Sequence, residues 1–80
     1  MISQKDFTAY VQVALPDASV SLTDRTGTMD HFTIQVISNL FEGKSLLDRH
    51  RMIYQALEEP MKDGRIHALE IQAKTVEEAS

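Results

Sequence analysis

Eighty residues with a formal net charge of -4 allow one domain built on a single small core. The absence of cysteine excludes a disulfide framework and any protein thiolate for metal, and the acidic balance argues against broad affinity for nucleic acid, which draws on a basic surface. No apolar run is long enough to span a membrane and the first residues lack a basic-then-apolar leader pattern, so the expectation is a soluble cytoplasmic protein whose single domain covers residues 1–80.

Ser3, followed three residues later by Asp6, has nearly the spacing of a capping box, and Phe7, Val11 and Ala14 or Leu15 recur at helical spacing. These predict a first helix from about Lys5 to Ala14, ended by Pro16. Ser19 to Asp24 alternates polar and apolar side chains, with Val20 and Leu22 on one face of a short strand. A loop over residues 25–30 contains Gly27. His31 to Ile37 is the clearest strand: Phe32, Ile34 and Val36 share one face, His31, Thr33, Gln35 and Ile37 the other. Closeness in sequence makes an antiparallel pair the economical arrangement of these two strands.

A tight loop through Gly43 leads to Ser45, a good N-cap, with Asp48 suited to the positive end of a helix dipole. Leu46, Ile53 and Leu57 fall on one stripe, widened by Leu47, Tyr54 and Ala56, and His50 stands within it. On this phase His50 points inward as a structural residue. Arg49 lies on a shoulder with its charge in water, and Arg51, Gln55, Glu58 and Glu59 face outward. Lys44, Arg49 and Arg51 read either as a solvated face or as a small basic contact surface. The helix runs to about Glu59, where Pro60 interrupts it. Lys62-Asp63-Gly64-Arg65 is a turn. Ile66 to Lys74 is a third strand, with Leu69, Ile71 and Ala73 on the same face as His67 and with Ile66 and Ala68 on the other. Thr75 and Glu78 have capping-box spacing, which predicts one last helical turn.

Three strands and two amphipathic helices assemble most simply into a small two-layer α/β sandwich, a three-stranded sheet with both main helices on one face. The connection between the second and third strands is long enough for a parallel pairing. The expected core holds Phe32, Ile34, Val36, Ile53, Leu57, Leu69 and Ile71. Enzyme chemistry is not indicated: no serine sits in a Gly-x-Ser-x-Gly elbow, and Gly27, Gly43 and Gly64 are too scattered for a P-loop or a dinucleotide fingerprint. The three histidines admit plain structural readings: His31 on the surface, His50 in or beside the core, His67 tied to a turn. The other reading for His31 and His67 is metal ligation through imidazole.

Phe41-x-Gly43-Lys44-Ser45-Leu46-Leu47-x-Arg49-His50-Arg51-x-Ile53-Tyr54-x-x-Leu57, followed by Ile66-His67-Ala68-Leu69, closely resembles the signature of the BolA family. Val36-Ile37-Ser38 before the loop fits it too, and Thr75-Val76-Glu77-Glu78 resembles the family's Thr-Pro-x-x tail without its proline. The likeness covers nearly all of the chain from Ser19 on. It implies a fold like class II KH domains, without the Gly-x-x-Gly loop used by RNA-binding members. It implies a non-enzymatic adaptor that pairs with a monothiol glutaredoxin and shares a [2Fe-2S] cluster, with glutathione on the partner side, in iron sensing or in cluster assembly and transfer. In bacteria the family is also tied to stress and cell-shape regulation. The alternative it implies is a DNA-binding transcriptional regulator using the Gly43–Arg51 loop and helix. A homodimer is a further association considered.

The resemblance makes His67, in the Ile-His-Ala segment, the cluster ligand. A second ligand in the family comes from a Cys or His in the loop between the first two strands. This chain has no cysteine there, which leaves His31 and, behind it, Asp30. Lys44, Arg49 and Arg51 become the partner or nucleic-acid contacts. Phe41, Gly43, His50 and Tyr54 are the structural residues of the motif.

Overall fold

A computed structural model describes residues 2–24 and 31–80, with the backbone alone at Asp24 and His31. In chain order the elements are α1 (Gln4–Ala14), β1 (Ser19–Asp24), β2 (His31–Ile37), a 3-10 turn (Asn39–Phe41), α2 (Leu46–Ala56), α3 (Glu58–Lys62), β3 (Ala68–Lys74) and α4 (Val76–Ala79). The caps form as their side chains dictate. Ser3 accepts from the Asp6 N–H, Ser45 from the Asp48 N–H, and Thr75 closes a full capping box with Glu78.

The sheet order is β1-β2-β3. β1 runs antiparallel to β2, with Val20 opposite Val36 and Leu22 opposite Ile34. β3 runs parallel to β2, with Phe32 opposite Leu69, Ile34 opposite Ile71 and Val36 opposite Ala73. The parity of all three strands therefore puts one apolar set on one face. Phe7 and Val11 of α1 and Ile53 and Leu57 of the α2–α3 segment cover that face, and the Phe7 ring meets Phe32 edge-on with centroids 5.3 Å apart. The expected core is buried as read, with Leu69 only partly so. Ile2, Leu15, Phe41 and Ile66 complete it.

Three element boundaries differ from the sequence reading. The helix expected to reach Glu59 as one piece breaks at Leu57, and α3 begins at Glu58. Pro60 lies inside α3 rather than ending a helix. It is the third helical residue, where its missing N–H leaves no intrahelical bond unmade. β3 begins at Ala68, not Ile66. Ile66, placed on the outer face of a strand, is buried, and its N–H donates to the Pro60 carbonyl at 3.1 Å.

The largest difference concerns the phase of α2. Leu46 is 65% exposed and Leu47 61%, so neither joins the core stripe. The inward row is instead Arg49, Ile53 and Leu57. Arg49 does not leave its charge in water: only 8% of the residue is exposed. Its Nε donates to the Lys44 carbonyl at 3.0 Å and its Nη1 to the Ala73 carbonyl at 3.2 Å. Nη1 and Nη2 grip the two carboxylate oxygens of Glu78 at 2.6 and 3.3 Å. The guanidinium also lies 5.8 Å from the centroid of the buried Phe41 ring. A buried cation is tolerated because each exposed edge of the fork finds an acceptor. One side chain thus joins the start of α2, the end of β3 and α4.

A second carboxylate ties the other corner. Asp17, in the turn after α1, accepts from the Ser38 hydroxyl and the Asn39 N–H, and these two bonds, Ser38 first, hold its carboxyl below the usual range.

Two measurements check this packing. Leu57→Ala should lower unfolding stability by about 2–5 kcal/mol, a large share of what a small domain possesses. The hydrogen bond from Arg49, followed by that from the Thr75 N–H, brings the Glu78 carboxyl from 4.5 down to about 2. A depressed carboxyl contributes its stability in full above pH 4.5 and loses it as the pH falls towards about 2. Urea midpoints measured across that window should fall more steeply for the wild type than for Glu78→Gln, which has no carboxylate to protonate.

Candidate functional site

His67 stands in a bend between α3 and β3 and is exposed. The bend is built tightly. Asp63 caps α3, and Gly64 takes φ +87°, the left-handed conformation that ends a helix without steric cost in a glycine. The Asp63 carboxylate accepts from the Arg65 backbone N–H at 3.1 Å and from Arg65 Nε at 2.9 Å, and this guanidinium holds the carboxyl below its usual range. Arg65 Nη2 donates to the Tyr10 hydroxyl of α1 at 2.8 Å, and its Cζ lies 5.5 Å from the Tyr10 ring centroid. Ile66 is anchored in the core, and Ala68 enters the sheet. A β-carbon placed on Gly64 would stand 3.9 Å from His67 Nε2, so the imidazole lies close to the turn.

The parallel register sets residue 31 beside Ala68. His31 and His67 therefore occupy the same end of two neighbouring strands, as expected from the topology. The His31 side chain and the whole of Asp30 lie outside the described residues, so the second-ligand assignment receives no geometry. Among the described residues, no group of three or more His, Cys, Asp or Glu could hold a metal ion. With no cysteine in the chain, its donors fit a share in a centre completed by another molecule and do not fit a whole one.

The basic candidates lie elsewhere. Lys44 and Arg51 are exposed, on the loop and first turns of α2. Arg51 approaches Asp48 only to 4.0 Å, a surface pair of little energetic weight. Arg49, assigned with them as a contact, has its charge occupied inside the fold, because it takes the inward row. It meets β3 at Ala73, whereas His67 precedes Ala68. At about 3.3 Å per residue the two sites are separated by roughly 20 Å along the chain. The structure does not bring them together.

His50 is half-buried rather than pointing into the interior. It lines a shallow groove of about 400 Å³ between α2 and β3, with Leu46, Ile71 and Ala73. Tyr54, one turn on from it, is exposed. Gly43 takes φ +77° in the loop before Ser45, which suits its place in the motif. Phe41 is the ring beneath Arg49. The residues missed in the sequence are Tyr10, Asp63 and Arg65. Only the Asp-Gly-Arg turn signal was available for them, because Tyr10 lies 55 positions from its partner.

The family model described as "BolA-like protein" matches residues 7–78. Protein BOLA2 of Arabidopsis thaliana is 40% identical over 72 residues, covering 89% of this chain and 75% of that protein. BolA-like protein 1 of Mus musculus is 51% identical over 49 residues, 61% of this chain and 35% of that one. SufE-like protein 1 of Arabidopsis thaliana is 51% identical over 45 residues, covering 56% of this chain, which spans only 12% of that protein's length. The chain nevertheless superposes on the solved BolA domain of SufE1 from the same plant with a TM-score of 0.80 at 30% identity, covering 98% of this chain and 99% of that domain. BolA1 of Arabidopsis thaliana superposes with a TM-score of 0.85 at 28% identity over the full length of both. Sequence motif, fold and family model agree, and the chain belongs to the BolA-like protein family.

Proposed function

We propose that this protein is a non-enzymatic adaptor that binds a monothiol glutaredoxin and shares a [2Fe-2S] cluster with it. The observation that carries this reading is His67, exposed on a rigid bend at the sheet end where β2 also begins. Family membership supports it, since the BolA resemblance assigns the cluster ligand to this histidine. The occurrence of a BolA domain within SufE1 agrees with a module that works alongside other machinery. In this reading His67 supplies one ligand and His31 a second, with Asp30 behind it. The partner's cysteine and a glutathione thiolate supply the rest, because soft thiolates are the usual ligands of such centres. The cluster, when shared, supplies one-electron redox capacity and transferable iron and sulfur. The chain's own part is to hold a neutral imidazole at a fixed point. The reading includes a class II KH-like relationship of the fold and a cytoplasmic setting.

The alternative is a DNA-binding regulator. The exposed cations Lys44 and Arg51 beside the Gly43 loop favour it, and the net charge of -4 weighs against it.

Mixing the protein with cluster-loaded monothiol glutaredoxin and glutathione should change the visible circular dichroism of the cluster and give a one-to-one complex. His67→Ala should abolish the spectral change while leaving the fold intact. His50→Ala should lower the melting temperature more than it alters the spectrum. A wild-type protein that never takes up the glutaredoxin would remove the function. Titration with duplex DNA at two salt concentrations tests the alternative. Weak, sequence-independent binding is expected; submicromolar, sequence-selective binding with a steep salt slope would reverse the order of the two readings.

A further inference from the structure

The Tyr10–Arg65–Asp63 network spans α1 and the bend before β3. Its guanidinium is held on three sides: by the Asp63 carboxylate, by the Tyr10 hydroxyl and by the Tyr10 ring. Two residues later the chain presents His67. Between them only Ile66 intervenes, itself fixed by burial and by its bond to the Pro60 carbonyl. Ala68 fixes the other side through its place beside residue 31 in the sheet. The imidazole lies near Gly64, where an added β-carbon would stand 3.9 Å from Nε2, and Gly64 is the middle residue of the turn that Asp63 and Arg65 close.

We propose that Arg65, gripped by Asp63 and by Tyr10 of α1, is a positioning residue that sets the direction of the His67 imidazole for a shared metal centre. The inference rests on the proposed role of His67, and it adds α1 to the machinery that presents the ligand. The physical reason is leverage. An exposed histidine on a free bend would sample several rotamers, and each idle rotamer reduces the fraction ready to bind. A planar guanidinium held by Asp63 within the turn and by Tyr10 of α1 restrains the backbone from which the ring projects two residues later. Supporting residues around metal ligands act in this way, and their loss commonly weakens metal binding 10- to 100-fold.

The plain alternative is that the network only stabilises the turn, and a local readout separates the two. In protein labelled with ¹⁵N, long-range imidazole correlation spectra report the tautomer, environment and mobility of each histidine ring. Arg65→Met and Tyr10→Phe should both shift or broaden the His67 ring signals while those of His50 stay in place. Affinity for cluster-loaded monothiol glutaredoxin with glutathione should fall about 10-fold in Arg65→Met. Unchanged His67 signals in both folded variants would overturn the proposal, and so would equal disturbance of His50 and His67, which signals general loosening. Should Arg65→Met fail to fold, Tyr10→Phe, which removes one oxygen, decides alone. Should the wild type take up no glutaredoxin, the adaptor reading falls, and the ring spectra of the free protein still decide whether Arg65 directs His67.

Discussion

Parallel pairing of β2 with β3 is the constraint on which the rest of the structure depends. An antiparallel neighbour, as β1 is to β2, asks for no return of the chain, but a parallel neighbour requires the chain to travel back the length of the sheet. Here that return is made by the 3-10 turn, α2 and α3. They cross the apolar face beside α1, so the same stretch that permits the pairing also closes the core. The starts of β2 and β3 then share one end of the sheet. A histidine immediately before β3 cannot lie anywhere else, whatever its surface role.

The crossover is held by polar contacts as well as by burial, and they sit where packing alone would be weakest. α4 has four residues and no buried member, so its own hydrophobic contribution is small. It is retained by Glu78, whose carboxylate accepts from the Thr75 N–H at 2.9 Å and grips Arg49 as well. The desolvation cost of Arg49 is offset only while all these acceptors are in place. The arrangement favours one position of α2 against β3, since sliding the helix by one residue would take the guanidinium away from the Phe41 ring and the Ala73 carbonyl.

Much of this was legible in the sequence. The bounds of β1 and β2 follow from strict alternation, and Ser3, Ser45 and Thr75 announce their caps. The phase of α2 was not legible, for a definite reason. Hydrophobic periodicity places leucines inside and arginines outside, and here Leu46 and Leu47 are exposed while Arg49 is buried. The partner that makes Arg49 an interior residue lies 29 positions away in the tail, beyond any local pattern. The same distance problem hid Arg65, whose contact with Tyr10 joins the first helix to the last turn before β3. His67 is singled out as a candidate site through the family motif and not through its spacing. Sequence could place it at the head of a strand, but not show how near its ring lies to Gly64.

The separation of His67 from Lys44 and Arg51 bears on how the two functional readings relate. Arg49 contacts the late part of β3, at Ala73, and so fixes the basic loop near that end, while His67 precedes the first residue of the same strand. A cluster partner that engages His67 meets the sheet end and the Asp63–Arg65 turn. A nucleic acid drawn to Lys44 and Arg51 meets the loop around Gly43. The two surfaces belong to one rigid crossover but share no side chain, so loss of charge at Lys44 leaves the imidazole and its support untouched. The adaptor and regulator readings therefore draw on separate surfaces, and a substitution that removes one surface leaves the other in place.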